Sequence, residues 1–304
     1  MKRLAVVSHP DCLLHDMGPW HPERPERISA IMDALEKSGI AFSRLEAPLV
    51  AREALLRVHS EAYVQEIESA SPESGLIQLD PDTAMNPHTL DAARRASGAV
   101  VLAVDKALSG EIDAAFCNVR PPGHHATRNR AMGFCIYNNV AVGAAHALQK
   151  LDRVAIVDFD VHHGNGTEDI FKDNDRVMMA SIFQHPYYPY SGIEGRSERM
   201  VNIPLPMGSG GQALREAVEK YWIPALDAFE PQLIFFSAGF DAHVRDEMAG
   251  LLFVEEDYAW VTGKIREIAG KHSMGRMVST LEGGYELDSL ARSALAHIME
   301  LAKG

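Results

Sequence analysis

Short apolar runs alternate with amphipathic stretches along the whole chain. The runs Leu4–Ser8, Ala114–Asn118, Val154–Asp158, Val177–Ile182, Leu233–Ser237 and Met277–Leu281 are brief and mostly apolar, and they read as buried strands. Between them, Pro25–Lys37, Ser60–Ala70, Thr89–Leu108, Asn139–Gln149, Gln212–Phe229, Glu255–Ala269 and Leu287–Leu301 read as helices. Pro224 lies inside one of these and predicts a kink or break, because proline has no amide hydrogen to give the helix. Strands separated by helices imply βαβ units and a mainly parallel sheet flanked by helices. No repeat, low-complexity tract or linker-like shift divides the sequence, so residues 1–304 are expected to form a single α/β domain. Three long segments lack periodicity: Pro10–Glu23, Ser71–His88 and Gln184–Arg199, the last carrying Tyr187, Tyr188 and Tyr190. Loops of that length usually shape a site or are disordered. The third also reads as a surface loop with aromatic anchors.

Composition narrows the class. Apolar residues make up 46% and charged residues 23%, so the chain can bury a core without disulfides or a structural metal. The net charge of −13 argues against nucleic-acid binding, which needs clustered Lys and Arg, and weakly favours cationic substrates. Cys12, Cys117 and Cys135 form no CxxC pair, which fits a reducing compartment. The N-terminal MKRLAVVSHP has only a short apolar run, and no stretch reaches membrane-spanning length. A cytoplasmic location with no membrane or nucleic-acid partner is expected; the oligomeric state is not readable.

The chemistry concentrates after the strands. Val154–Val157 leads into Asp158, Asp160, His162 and His163, then into the turn Gly164-Asn165-Gly166-Thr167, which can open a helix. In extended chain alternate side chains share a face, so Asp158, Asp160 and His162 point together. An aspartate and a histidine so placed can reach one zinc ion. Arg120–Ala126, Ser237–Asp241 and Glu282–Tyr285 also follow strand candidates. In open parallel sheets the ligand crevice lies beyond the strand carboxyl ends, where all of these would converge. Asp241 can then supply a third ligand. His124 and His125 offer a base and an acid, with Asp158 and Asn165 as partners that orient them. Tyr285, presented by two glycines, can hydrogen-bond an oxyanion. Together these parts make a metal-assisted amide hydrolase.

Each part also has a plainer reading. The histidine pair can satisfy buried carbonyls, the Gly-Gly-Tyr turn can be structural, and Asp241 can cap a helix. His59, His146, His272 and His297 read as packing or surface histidines, and His9, His15 and His185 receive no role.

Six ordered motifs add a resemblance: His21–Pro25, Arg120–Ala126, Gly133–Asn139, Asp158–Thr167, Ser237–Asp241 and Leu281–Tyr285. They resemble the histone deacetylase family, nearest its class II branch with the bacterial deacetylase-like and acetylpolyamine amidohydrolase relatives. Asn165 stands where class I members carry Asp. The resemblance implies the arginase/deacetylase fold and, over this length, a bare catalytic domain. It implies zinc held by Asp160, His162 and Asp241, with His125 as general base and acid and His124, backed by Asp158, as its electrostatic partner. Tyr285 matches the tyrosine that polarises the acyl carbonyl. Phe134 and Tyr188 match the tunnel walls, although the family usually has Phe at the second, and Gly123 and His163 fall in the channel wall or its support. Arg27 matches an arginine on an internal acetate path, and Asp82 lies where the substrate backbone is held.

The resemblance further implies a structural potassium ion on Asp158, Asp160, His162, Ser181 and Ile182, and a second cation near Phe171, Asn174 and Val177. Met248 stands where polyamine-selective members carry Glu, with Glu247 adjacent as a substitute. The expected substrate is acyl-lysine; the alternatives are acetylpolyamines or other N-acyl amines. A binuclear manganese hydrolase on the same fold would need further bridging aspartates, and a catalytically dead binder would not need the intact histidines and Tyr285. The same ligands can hold zinc or iron(II).

Overall fold

The computed structural model describes residues 3–193 and 197–303. Its strands are β1 (Leu4–Ser8), β2 (Ser43–Glu46), β3 (Ile77–Asp80), β4 (Thr83–Met85), β5 (Ala114–Cys117), β6 (Val154–Asp158), β7 (Val177–Gln184), β8 (Met200–Leu205), β9 (Ile234–Ala238) and β10 (Met277–Leu281). Its helices are α1 (Glu26–Ser38), α2 (Arg52–Leu55), α3 (Glu61–Ala70), α4 (Thr89–Leu108), α5 (Asn139–Ala147), α6 (Asn165–Phe171), α7 (Gly211–Ala217), α8 (Ile223–Phe229), α9 (Glu255–His272) and α10 (Leu287–Leu301).

Eight strands form one sheet in the order β2-β1-β5-β10-β9-β6-β7-β8, and every neighbouring pair is parallel. The inner strands are apolar on both faces because both are covered. In β9, Phe235 belongs to the apolar cluster that holds Val100 and Ile156, while Phe236 belongs to the other, with Phe116 and Trp222. In β6, Val154 and Ile156 face the first cluster and Ala155 and Val157 the second. This is the alternation that defines strand faces.

The two strands of this sheet that the sequence pattern does not predict, β2 and β8, lie at its edges. β2, Ser-Arg-Leu-Glu, is largely exposed and carries no apolar run. β8 contains Pro204, which an edge strand tolerates because one side of its ladder is unpaired. The segment Ser71–His88 is not an irregular loop throughout: β3 and β4 form an antiparallel hairpin within it. The helix expected over Gln212–Phe229 is divided. A π-helical turn, Val218–Trp222, separates α7 from α8, with the Ile223 N–H reaching the Val218 carbonyl just ahead of Pro224. Glu194, Gly195 and Arg196 of the third aperiodic segment lie outside the described residues. No helix among the described residues is long and apolar enough to cross a membrane.

His59 and His297 are buried, as packing histidines should be, while His146 and His272 pair with Asp105 and Asp227. His297 Nδ1 lies 2.6 Å from Thr262 Oγ1 and Nε2 lies 2.9 Å from Ser279 Oγ, among Phe116, Phe159, Phe236 and Phe240. Burial lowers its pKa to about 3. The unfolded chain, with histidine near its ordinary value of about 6.5, binds more protons between these limits, so stability falls as pH drops through that window. By pH 5 this histidine alone should cost about 2 kcal/mol relative to neutral pH. Urea midpoints between pH 7 and 5 should fall less steeply in His297→Gln than in the wild type; parallel slopes would show that His297 titrates normally.

Candidate metal centre and active site

The loops expected to carry chemistry leave β5, β10, β9 and β6, which are consecutive in the middle of the sheet. Their carboxyl ends therefore open on one crevice. Beyond β6 the chain keeps its alternation: Phe159 and Val161 enter the apolar cluster, while Asp158, Asp160 and His162 turn to the crevice. Asp241 arrives from the loop after β9. One donor atom from each of Asp160, His162 and Asp241 lies within 4.8 Å of the others, and all three residues are buried. His162 Nδ1 is 3.0 Å from Asp160 Oδ1 and 3.2 Å from Asp241 Oδ2.

Backbone donors hold the carboxylates in place. Asp160 accepts from the N–H groups of His162 (2.9 Å) and Gly283 (2.8 Å), and Asp241 Oδ1 accepts from Val161 (2.9 Å). Asp241 Oδ2 is buried, and its contact with His162 Nδ1 is an ion-pair approach rather than an aligned hydrogen bond. Burial pushes the Asp241 carboxyl up and the Asp160 charge adds to it, while burial of His162 is outweighed by both carboxylates, which raise its pKa to about 10. The cluster thus attracts positive charge. Two carboxylates and an imidazole so grouped fit a divalent ion such as zinc.

Glycines make the approach possible. A Cβ on Gly239 would fall 2.0 Å from Asp160 Oδ2, on Gly283 2.1 Å from Asp241 Oδ2, and on Gly164 2.3 Å from Asp158 Oδ2.

His124 and His125 lie beside this cluster with ring centroids 4.1 Å apart. His124 Nδ1 is 3.0 Å from Asp158 Oδ2, and His125 Nδ1 is 2.7 Å from Asn165 Oδ1 at the start of α6. The partners push the two rings in opposite directions. Burial opposes charge on His124, but Asp160, Asp158 and Glu282 outweigh it and raise its pKa. Burial lowers that of His125, and the charges of His124 and His162 lower it further.

Glu282 is a residue the sequence reading quoted without giving a role. Its Oε2 accepts from Gly123 N (2.7 Å) and His124 N (3.1 Å), and its Oε1 accepts from Ser237 Oγ (3.2 Å). It therefore ties the histidine loop to the tyrosine loop. An acid directly after the apolar run Met277–Leu281 was the available signal in the sequence, and the fold buries it fully. On the other side, Arg27 donates to the carbonyls of Glu282 and Gly284 and lies 4.9 Å over the Tyr285 ring. Its position is held by the buried Glu23, which also pairs with Arg120.

A cavity of about 120 Å³ leads to the cluster, lined by Asp82, His125, Gly133, Phe134, His162, Tyr187, Tyr188, Met248 and Tyr285. Gly123 and His163 do not line it, and Glu247 is exposed. Tyr187 is the wall the sequence reading missed: it stacks on His162 with centroids 5.7 Å apart, and its hydroxyl donates to the Met248 carbonyl at 2.5 Å. Asp82 accepts from Gly133 N (3.2 Å) and Thr83 Oγ1 accepts from Phe134 N (2.9 Å), so the β3–β4 hairpin fixes the Phe134 side. Ser181 lies opposite Asp158 in the β6–β7 register, and its Oγ is buried without a partner among the described residues. Ile182 follows on β7. Phe171, Asn174 and Val177 are joined in a separate turn through Asn174 N to Phe171 O (2.8 Å) and Val177 N to Asn174 O (3.3 Å).

The fold and this constellation define an α/β protein with a buried candidate metal centre at the strand carboxyl ends. The histone deacetylase domain matches residues 21–301, and the chain belongs to that family. A histone deacetylase-like amidohydrolase of Pseudomonas aeruginosa is 36% identical over 99% of this chain and 86% of its own length. A probable deacetylase of Archaeoglobus fulgidus is 38% identical over 93% of this chain and 82% of its own. An uncharacterized protein of Synechocystis is 40% identical over 98% and 99%. The solved HDA15 HD domain superposes with a TM-score of 0.92 at 32% identity, over 99% of this chain and 90% of that one. The arginase/deacetylase fold follows.

Gly283→Ala is expected to fold yet bind divalent metal about 10–100-fold more weakly, since its methyl group displaces the carboxylates. Equilibrium dialysis against zinc or cobalt(II) checks this, and wild-type affinity would show that the glycine is dispensable.

Proposed function

We propose that this chain is a zinc-dependent amidohydrolase that removes acetyl or other acyl groups from lysine side chains. The observation that carries the reading is a cavity lined by His125, His162 and Tyr285, with Asp160 and Asp241 grouped around His162 and His124 beside His125. Asp160, His162 and Asp241 would hold the zinc. When bound, zinc polarises the acyl carbonyl and lowers the pKa of water.

The protein's own groups divide the remaining work. The Asn165 carbonyl oxygen favours a proton on His125 Nδ1, which leaves Nε2 free in the neutral ring. Nε2 takes the proton of the attacking water and returns one to the departing lysine amine. His124, backed by Asp158, remains charged and steadies the negative charge that develops nearby. The Tyr285 hydroxyl donates to the oxyanion, with its ring held beneath by Arg27.

Phe134, Tyr187, Tyr188 and Met248 give the cavity walls without formal charge, which suits the aliphatic chain of an acylated lysine. Asp82, also on the lining, can accept a substrate backbone amide. A second reading, an acylpolyamine substrate, is favoured by that same carboxylate and by the net charge of −13. Against it, Met248 and not Glu247 reaches the cavity. A structural potassium ion beside Asp158 and Ser181 is part of the proposal, supported by the unpartnered Ser181 hydroxyl. A second cation near Phe171, Asn174 and Val177 is proposed on resemblance alone.

With acetyl-lysine peptides, Tyr285→Phe should lower kcat by about 10²–10³, the effect of removing one oxyanion donor, with little change in bound zinc. Undiminished turnover would remove Tyr285 from the chemistry. Acetyl-lysine peptide should be cleaved with higher kcat/KM than acetylputrescine; the reverse order would move the assignment to polyamines.

A further inference from the structure

The cavity wall bearing Tyr187 and Tyr188 belongs to an irregular segment, and we propose that Ser191 and His163 latch it in place. They thereby set which acyl chains the cavity accepts. This rests on the reading of the cavity as an acyl tunnel.

Adjacent histidines face opposite ways here. His162 turns to the metal cluster and stacks on Tyr187, while His163 turns away from it. His163 is buried, with Nδ1 2.8 Å from Ser191 Oγ and Nε2 2.9 Å from Glu168 Oε2. Glu168 Oε1 in turn accepts from Asn202 Nδ2 at 3.1 Å. A polar chain thus runs from the tyrosine segment through α6 to β8. The Ser191 hydroxyl lies within hydrogen-bond distance of His163 Nδ1, while Nε2 approaches the Glu168 carboxylate closely without an aligned hydrogen bond.

The neighbouring backbone fits the same contact. Gly192, at φ +86°, lies so close to the rings that a Cβ would fall 2.6 Å from Phe183 Cζ and 2.8 Å from the His163 ring. Tyr187 has its own anchor in the Met248 carbonyl. Tyr188 does not: its hydroxyl is buried with no hydrogen-bond partner among the described residues. Its ring meets His125 edge-on at 5.3 Å. Tyr188 is therefore held by ring packing, by the anchored Tyr187 before it and by the attachment of Ser191 three positions later. Behind this wall, a depression of about 230 Å³ lined by His163, Glu168, Ser191 and Gly192 leaves space into which a released segment can shift.

The test compares wild type, Ser191→Ala and Ser191→Thr on acetyl-, butyryl- and hexanoyl-lysine peptides, with amide hydrogen exchange across residues 185–193. One neutral hydrogen bond corresponds to about a five- to tenfold effect, so Ser191→Ala should raise KM for the acetyl peptide by that factor. Its kcat should hold within about twofold, and preference should move toward longer chains. Ser191→Thr should restore KM and preference. The Tyr190 amide, which donates to the Tyr187 carbonyl at 2.8 Å, should exchange faster in Ser191→Ala. Unchanged KM, preference and exchange would overturn the latch, as would an equal loss of kcat on all three peptides. Should the wild type hydrolyse none of them, the functional reading fails separately. Exchange then decides the latch, with faster exchange supporting it and unchanged exchange overturning it.

Discussion

Two carboxylates, Asp160 and Asp241, are buried around one imidazole, and neither can remain ionised there without positive charge between them. Charge taken out of water is costly unless paired or bound to metal. Most of the surrounding architecture answers to that constraint. Backbone N–H groups of Val161, His162 and Gly283 aim at the carboxylate oxygens, and glycines stand where any side chain would displace them. One oxygen of Asp241 meets the His162 ring nitrogen at 3.2 Å without an aligned hydrogen bond among the described residues, which suits a cation better than a closed hydrogen-bond network.

The sheet makes this crowding possible. Four adjacent parallel strands deliver four loops to one edge, and each loop is fixed by its neighbour rather than by itself. Glu282 reaches from the tyrosine loop to the backbone of the histidine loop and to Ser237 on β9. Glu23 bridges Arg27 and Arg120 behind them. Asn165, at the first turn of α6, orients His125 while the other end of that helix packs in the core. Positions of reacting groups are thus set by buried polar pairs in a region of low dielectric, where such pairs are strong when satisfied.

Much of this was readable from residues because it follows from local periodicity. Inner strands are continuous apolar runs, and Asp158-Phe159-Asp160-Val161-His162 carries its alternation openly. Edge strands were not readable: β2 is polar and exposed, and β8 includes a proline, so neither shows the pattern of a buried strand. The β3–β4 hairpin was hidden for a related reason, since its first strand is half exposed and buries no residue fully. Glu282 and Tyr187 were missed because their roles arise from partners far away in sequence, Gly123 and Met248 among them. The potassium ligands came from family resemblance; in the fold, the Ser181 hydroxyl opposite Asp158 has no hydrogen-bond partner among the described residues.

We propose that one metal ion, gripped by Asp160, His162 and Asp241, is what the catalytic groups are built around. Stripping the purified protein of metal and titrating zinc back while following acetyl-lysine hydrolysis tests it directly. Activity should be absent without metal, rise in proportion to added zinc, and break at one equivalent per chain. A break at two equivalents, or full activity in the stripped protein, would contradict the account.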